Sequence, residues 1–270
     1  MTLLYSLAKC THRIVRTQAL LCVGLIGGVA RLGAQQPLET ETARLPARHE
    51  LVVGASYEFQ TSSQGTEHAV PLALEYGFTK RLAVLVEPVL YTAIRPAAGR
   101  AATGIGDLEA TVQLLVVDET AYLPAVALAA ELKFPTARNR AIGTGRTDFT
   151  PYLIASKRFG RFDAHANLGY SFVGQPSGLV VQNTVNLAFA VENHLTRTID
   201  VMAEVLSTTA SLSGGEGTVD PNAPELAGAE QVGMLGIRVR RGSRTWLSLG
   251  VTYDNTNAIL LRPGIAIGLP

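Results

Sequence analysis

The sequence has only two cysteines, Cys10 and Cys22, and both lie close to its N-terminus. A chain of 270 residues with no cysteine in its body does not depend on disulfide bonds, which excludes the small disulfide-stapled classes. Charge is also scarce, at 17% of residues, yet the body contains no apolar stretch of eighteen or more residues. A protein built from membrane-spanning helices is therefore not expected.

The first 34 residues have the pattern of an export signal. Three basic residues precede a short apolar run, Ala19 to Ala30, and small residues follow it. We predict a signal peptide over residues 1–34 with cleavage after Ala34, and cleavage after Ala30 is the alternative. A membrane anchor is the weaker interpretation, because the run is too short to span a bilayer comfortably.

The remainder of the chain is slightly acidic. Residues 1–34 hold four of the 23 Lys and Arg and none of the 22 Asp and Glu, which leaves 19 − 22 = −3. That balance predicts no nucleic-acid partner. Residues 35–48 are polar and contain proline, so we expect an irregular N-terminal extension before a single domain over residues 49–270.

From His49 onward the chain divides into twelve segments in which apolar and polar residues alternate, which is the strand signal. In one of them Asp163, His165 and Asn167 share one face, and Phe162 to Phe172 supply an apolar face. Longer polar connections follow the odd-numbered strands and short ones follow the even-numbered strands. This predicts an all-β, antiparallel, up-and-down transmembrane β-barrel of about twelve strands, with both termini in the periplasm.

Alternation alone also fits a soluble β-sandwich, in which the apolar face packs against a second sheet. Aromatic residues gather at the strand ends and aliphatic residues in the middle, which favours a membrane barrel with interfacial girdles. Because lipid offers no hydrogen bonds to an open sheet edge, we expect the first strand to pair with the twelfth.

Several short motifs occur in order between residues 104 and 148. They are Gly104, Gly106 and Asp107 at a strand start, Pro135 and Thr136 after an alternating strand, and Gly143, Gly145 and Asp148 in the next loop. This arrangement resembles the outer-membrane family named for the meta-pathway of phenol degradation, although Ala137 stands where that family usually has glycine. The resemblance implies an outer-membrane barrel that passes small molecules, of hydrophobic or aromatic character.

The polar faces predict a charged lumen, and its candidate site residues are Asp107, Glu109, Glu131, Lys133, Asp148, Asp163, His165, Arg238 and Arg262. Four of them, Asp107, Glu109, Lys133 and Asp148, are expected together at the outer ends of strands four to six. They form either a solute-selecting constriction or cross-strand ion pairs that fix register, and the second is favoured. Arg138, Arg140 and Arg146 belong either to a lipopolysaccharide contact or to a solvated loop.

We expect no catalytic residue, metal or cofactor. Asp163, His165 and Asn167 are spaced nearly 7 Å apart along a strand, at about 3.3 Å per residue, and no nucleophile motif accompanies them. The leading hypothesis is an outer-membrane channel for small molecules. The alternatives are a lipid-modifying barrel enzyme and a structural barrel plugged by its own charged side chains and loops, into which residues 207–230 or 35–48 could also fold. Expected partners are outer-membrane lipid and lipopolysaccharide, a small-molecule solute, and the barrel-assembly machinery during biogenesis.

Overall fold

The computed structural model describes residues 38–175, 180–211 and 229–270, and all regular structure in these ranges is β-strand. The predicted signal peptide lies outside the described residues, and so does the centre of the 207–230 connection. No helix within the described ranges has the length and apolar character needed to cross a membrane.

Fourteen strand segments follow one another along the described chain. They are β1 (Leu51–Ser56), β2 (Glu58–Ser62), β3 (Gly65–Gly77), β4 (Leu82–Pro96), β5 (Ala102–Gly104), β6 (Leu108–Val117), β7 (Ala125–Phe134), β8 (Asp148–Phe159), β9 (Phe162–Ser171), β10 (Thr184–His194), β11 (Ile199–Thr208), β12 (Glu230–Arg241), β13 (Thr245–Asp254) and β14 (Ile259–Leu269).

These segments form a closed antiparallel barrel of twelve strands. β1 and β2 both lie between β3 and β14 and act as one strand interrupted at Tyr57, while β5 and β6 both pair with β4 and act as another. Every other strand pairs with its neighbours in sequence. The ring closes where β1 pairs with β14, from Leu51 opposite Leu269 to Ser56 opposite Gly264. The predicted pairing of the first strand with the last is confirmed.

The alternation in the sequence determines which side chains face outward. On β9, Asp163 and His165 are each 2% exposed and face the lumen, whereas Leu168 is 48% exposed on the outer surface. The same division holds around the barrel, because side chains point alternately to the two faces of a strand. The exterior is therefore apolar and the interior polar, as a transmembrane barrel requires.

One predicted connection was wrong. The first outer connection was expected to be a longer polar segment, but β2 and β3 continue into it and are joined by only Ser63 and Gln64. β3 and β4 reach 13 and 15 residues. The sequence did not indicate this extension, because its residues are polar. Strands that project beyond the lipid keep their backbone pairing and need no apolar face.

Candidate functional site: a filled lumen

The lumen is filled by residues 38–46 of the chain itself, which we call the plug segment. Leu38 is 1% exposed and Ala43 is 0% exposed, although neither belongs to a strand. The segment passes the end of β3, where a side chain at Gly77 would collide with the carbonyl oxygen of Ala47. The plug segment enters from the end of the barrel at which β1 begins and β14 ends, which is the periplasmic end in the predicted orientation.

Apolar side chains of the barrel wall contact Leu38, at the N-terminal end of the plug segment. Leu38 packs with Met202, Leu206 and Met234, which all face inward from β11 and β12. Gly236 leaves room beside them, because a Cβ atom at that position would lie 2.6 Å from Cδ1 of Leu38. This small hydrophobic cluster thus fixes the position of Leu38 in an otherwise polar lumen.

Next to this hydrophobic cluster, a carboxylate of the barrel wall binds the backbone of the plug segment. The backbone amides of Glu39 and Thr40 and the hydroxyl of Thr40 all donate to Oε2 of Glu204, each at 3.0 Å. The guanidinium of Arg262 lies 2.6 Å from the carboxylate of Glu39 and 2.6 Å from that of Glu58. Hydrogen bonds to ionised groups are roughly twice as strong as neutral ones, so this end is firmly held.

Amide side chains hold the middle of the plug segment. Oδ1 of Asn167 accepts from the backbone amide of Glu41 at 2.7 Å, and Nδ2 of Asn167 donates to the carbonyl of the same residue at 2.9 Å. Nε2 of Gln113 donates to the carbonyl of Thr42 at 2.7 Å. These contacts satisfy backbone groups that belong to no sheet, in the way that a neighbouring strand would.

A serine–histidine pair lies at the same level. Oγ of Ser156 accepts from the backbone amide of Ala43 at 2.9 Å and lies 2.8 Å from Nδ1 of His165. No described residue forms a hydrogen bond with Nε2 of His165. The serine oxygen is engaged with the plug segment, and the pair serves to hold it.

The periplasmic end of the plug segment is tied by an ion pair. Arg44 lies 2.9 Å from the carboxylate of Glu119 and 2.7 Å from that of Asp163. Glu119, in the turn between β6 and β7, also accepts from the backbone amide of Arg158 at 2.7 Å. Burial alone would raise the pKa of Glu119, but the Arg158 amide and the Arg44 guanidinium outweigh it and hold that pKa below its ordinary value.

A second ionic cluster lies on β10, β11 and β12. Arg238 bonds to the carboxylates of Glu192 and Asp200, and its guanidinium lies 5.3 Å from the ring centre of Trp246. Glu192, His194 and Asp200 place ligand atoms within 4.8 Å of one another, as a metal site would. The Arg238 guanidinium bonds to both carboxylates and His194 lies 2.8 Å from that of Asp200, so the cluster is an ion-pair network.

Two small cavities lie beside the plug segment among the described residues. A cavity of 20 Å³ lies near Arg44, Asp163 and His165, and one of 10 Å³ lies near Glu39 and Glu230. Each holds about one water molecule. A solute larger than water fits in neither cavity while the plug segment is in place.

The motif residues of the outer rim hold a loop in place. Oδ1 of Asp107 accepts from the backbone amide of Ala137 at 2.9 Å, and the hydroxyl of Thr136 donates to the carbonyl of Gly106 at 2.9 Å. The connection 135–147 is thereby fixed at the rim. Its Ile142 is 1% exposed and packs in a cluster with Ile94 and Ala102, which turns part of this loop inward.

The predicted charged cluster is divided between two places. Lys133 forms an ion pair with Asp148, directly opposite it in the β7–β8 register, and Glu109 lies directly opposite Lys133 on β6. Asp107 is engaged by the 135–147 loop. Cross-strand ion pairing is therefore present, and the constriction hypothesis stays a prediction.

The other candidates, Glu131, Asp163, His165, Arg238 and Arg262, are buried and face the lumen. Arg138, Arg140 and Arg146 are exposed, and their contact with lipopolysaccharide stays a prediction.

Sequence reasoning missed the residues that hold the plug segment. Gln113 and Glu204 alternate with apolar residues in the sequence, but that alternation assigns them no role, and the alternation around Ser156 is less regular. Glu119 stood in a turn without any signal. Periodicity shows that a side chain faces the lumen. It does not show which backbone atom that side chain contacts, because the plug segment has no periodicity of its own.

The chain shares its fold with solved outer-membrane proteins. The outer membrane channel COG4313 from Pseudomonas putida F1 has a TM-score of 0.65 at 12% identity, covering 90% of this chain and 100% of that one. The NanC porin has a TM-score of 0.55 at 11% identity, and the match covers 80% of this chain and 98% of the porin chain. The KdgM porin, in complex with disordered oligogalacturonate, has a TM-score of 0.53 at 9% identity, and the match covers 80% of this chain and 98% of the porin chain.

No curated protein matches the sequence. The sequence profile of one family, described as "Putative MetA-pathway of phenol degradation", matches residues 84–258. That span includes the rim motif from Gly104 to Asp148 and the ionic cluster around Arg238, and it agrees with the resemblance seen in the sequence. The chain is thus a member of this outer-membrane β-barrel family.

Proposed function

We propose that the protein is an outer-membrane channel for small molecules. The observation that carries this proposal is a closed ring of strands with an apolar exterior and a charged interior. Buried charges are costly in lipid and persist where they line a path for water or solute. The family membership and the porins of like fold support the same function.

The plug segment gives this channel a closed resting state. It is held by side chains of the wall rather than by strand pairing, so it can leave without opening the barrel. The same observation favours a second candidate, a permanently plugged barrel that transports nothing. The two differ in whether the plug segment moves under conditions in which the ring stays intact.

Conductance in planar lipid bilayers separates these candidates. We expect small, discrete current steps from the full-length protein and larger, more frequent steps from a Glu204→Gln, Asn167→Ala double variant, because both changes weaken the hold on the plug segment. Asp118→Asn is the matched control, since Asp118 pairs with Arg81 at an exposed turn. Silence of both the protein and the double variant, with folded barrels confirmed by circular dichroism, would favour the plugged barrel.

The finer proposal concerns the solute. We propose small hydrophobic or aromatic molecules, and the support is the description of the family. Uptake of phenol and of an aromatic acid by cells with and without the protein tests it. A sugar of similar mass serves as the control solute. Equal uptake of all three solutes with and without the protein would remove this substrate class.

A further inference from the structure

Three arginines lie together at the end of the barrel where β1 begins, which is the periplasmic end in the predicted orientation. They are Arg161 in the β8–β9 turn, Arg197 in the β10–β11 turn and Arg241 at the end of β12, and all three are exposed. We call them the basic edge. Their guanidinium groups form neither an ion pair nor a hydrogen bond with any residue that the structure describes. The basic edge therefore presents three positive charges to its surroundings.

Backbone hydrogen bonds place the three arginines in one row along the rim. The carbonyl of Arg161 accepts from the backbone of β10 at 2.9 Å, and the carbonyl of Thr198, next to Arg197, accepts from the backbone of β12 at 2.8 Å. Neighbouring strands lie about 5 Å apart, so a row from β9 to β12 spans about 15 Å. One lipid headgroup can therefore contact more than one of these arginines.

The basic edge borders the lipid-facing surface of the barrel. Arg241 lies on the same face of β12 as the exposed side chains of Ile237 and Val239, because alternate residues of a strand share a face. The guanidinium of Arg161 lies 5.4 Å from the ring centre of Phe162, which is exposed on the outer face of β9. Aromatic rings of membrane proteins gather where hydrocarbon meets water. These charges thus lie at the boundary of the lipid.

Acidic residues are missing from the surface around the basic edge. The outward-facing positions of β8 to β13 contain no aspartate or glutamate, and neither do the turns 160–161, 195–198 and 242–244. The other side of the same rim differs, because Arg81 there forms an ion pair with Asp118 of the β6–β7 turn. A guanidinium matches the oxygens of a phosphate through two parallel hydrogen bonds. Charge complementarity therefore favours a partner that carries phosphate.

An apolar groove of 540 Å³ lies on the outer surface of the same strands. Ala155 stands directly opposite Ala166 in the β8–β9 register, and these short side chains line the groove together with the longer Leu168, Leu187 and Phe189. Short side chains at paired positions leave a depression between longer ones. The surface beside the basic edge is therefore shaped to receive an apolar chain.

The groove and the basic edge are separated by the depth of one lipid leaflet. Ala166 lies 166 − 161 = 5 residues from Arg161 along β9, which is about 17 Å at 3.3 Å per residue. The hydrocarbon of a bilayer is about 30 Å thick, so one leaflet contributes about 15 Å. A lipid whose phosphate lies at the basic edge therefore reaches the groove with its acyl chains.

We propose that the basic edge and this groove form a binding site for an anionic phospholipid. The arginines hold the phosphate of the headgroup, and the groove between β8 and β10 receives an acyl chain. A zwitterionic headgroup fits less well, because it brings its own cation against the arginines. This site does not depend on the proposed channel function, since it lies on the outer surface of the barrel.

Binding is measured by native mass spectrometry of the full-length protein in detergent, with phosphatidylglycerol compared with phosphatidylcholine of the same acyl chains. We expect the unmodified protein to retain phosphatidylglycerol more strongly. Each arginine near an anionic lipid contributes about a factor of five, so the Arg161→Gln, Arg197→Gln, Arg241→Gln variant should bind phosphatidylglycerol about a hundredfold more weakly. Equal retention of the two lipids by the unmodified protein would overturn the proposal.

A matched control removes the same number of charges from the opposite rim. Arg95, Arg100 and Arg138 are exposed there, and their triple replacement with glutamine should leave phosphatidylglycerol binding unchanged. Binding that falls equally in both triple variants, or in neither, would overturn the basic edge as the headgroup site. Circular dichroism should show a folded barrel in every variant.

Ala166→Phe tests the groove without any change of charge. The larger side chain occupies the space of an acyl chain, so the variant should bind both lipids more weakly and keep the preference for phosphatidylglycerol. Unchanged binding in Ala166→Phe would overturn the assignment of the acyl chain to the groove.

Discussion

Replacing Glu204 with glutamine should loosen the plug segment without opening the barrel. All three of its hydrogen bonds converge on Oε2, so the glutamine carbonyl oxygen can take the same place as a neutral acceptor. A hydrogen bond to a charged group contributes about 1.5–3 kcal/mol and a neutral one about 0.5–1.5 kcal/mol. Three such bonds lose about 3 kcal/mol together, which raises the released population of the plug segment about a hundredfold.

A single reporter thiol measures this release. The natural cysteines, Cys10 and Cys22, both lie in the predicted signal peptide, so a Thr42→Cys substitution introduces the sole thiol of the barrel. Thr42 is 5% exposed, and a maleimide can reach a thiol there only when the plug segment leaves the lumen. We expect Glu204→Gln to raise the labelling rate about a hundredfold, as its loss of hydrogen-bond energy requires.

Two comparisons make this measurement decisive. Asp118→Asn, combined with the same reporter, should label at the unmodified rate, because its ion pair with Arg81 lies at an exposed turn. Circular dichroism and thermal unfolding should show an unchanged barrel in every variant. A Glu204→Gln labelling rate equal to that of Asp118→Asn would refute the conclusion that this carboxylate retains the plug segment.

The same reporter tests two further sites, and proteolysis tests a third. The pKa of Glu119 lies below its ordinary 4.5 in the folded protein, so its tie to Arg44 is present above that pH. The tie is lost as the pH falls through the lowered pKa, so labelling should accelerate in that acidic range, and less so in Glu119→Gln. Asp107→Ala should release the backbone of the 135–147 connection, so that trypsin cleaves faster at its exposed arginines, as detected by mass spectrometry, and an unchanged cleavage rate would contradict its role at the rim. Gly236→Ala should raise labelling with little loss of barrel stability, because the added methyl group lies 2.6 Å from the first side chain of the plug segment.

The wall of the barrel was predictable because one simple period determines it. Asp163 and His165 alternate with Ala164 and Ala166, and such alternation states which side chains face lipid before any contact is known. Even a cross-strand contact was within reach. Lys133 lies next to the end of β7 and Asp148 begins β8, so side chains of opposite charge meet where two adjacent strands enter the same loop, and such pairs fix register.

The plug segment was not predictable in the same way. Its sequence, "LETETARLP", has no periodicity and reads as an irregular extension, which is correct as far as it goes. Its position depends on single contacts with Glu204, Asn167 and Ser156, which come from three different strands. Such contacts become visible only when the closed ring brings those strands around one axis, so no local pattern carries them.

The closing pair of strands places a constraint on how the protein folds. Leu51 and Leu269 are neighbours in the ring, although they lie 269 − 51 = 218 positions apart in the chain. Contacts between such distant residues form late, because the entropy of closing the loop must be overcome first. The residues before β1 end up inside that ring. We therefore expect folding to finish as a single event, in which the last seam forms around a plug that is already seated or is drawn in from the periplasmic side.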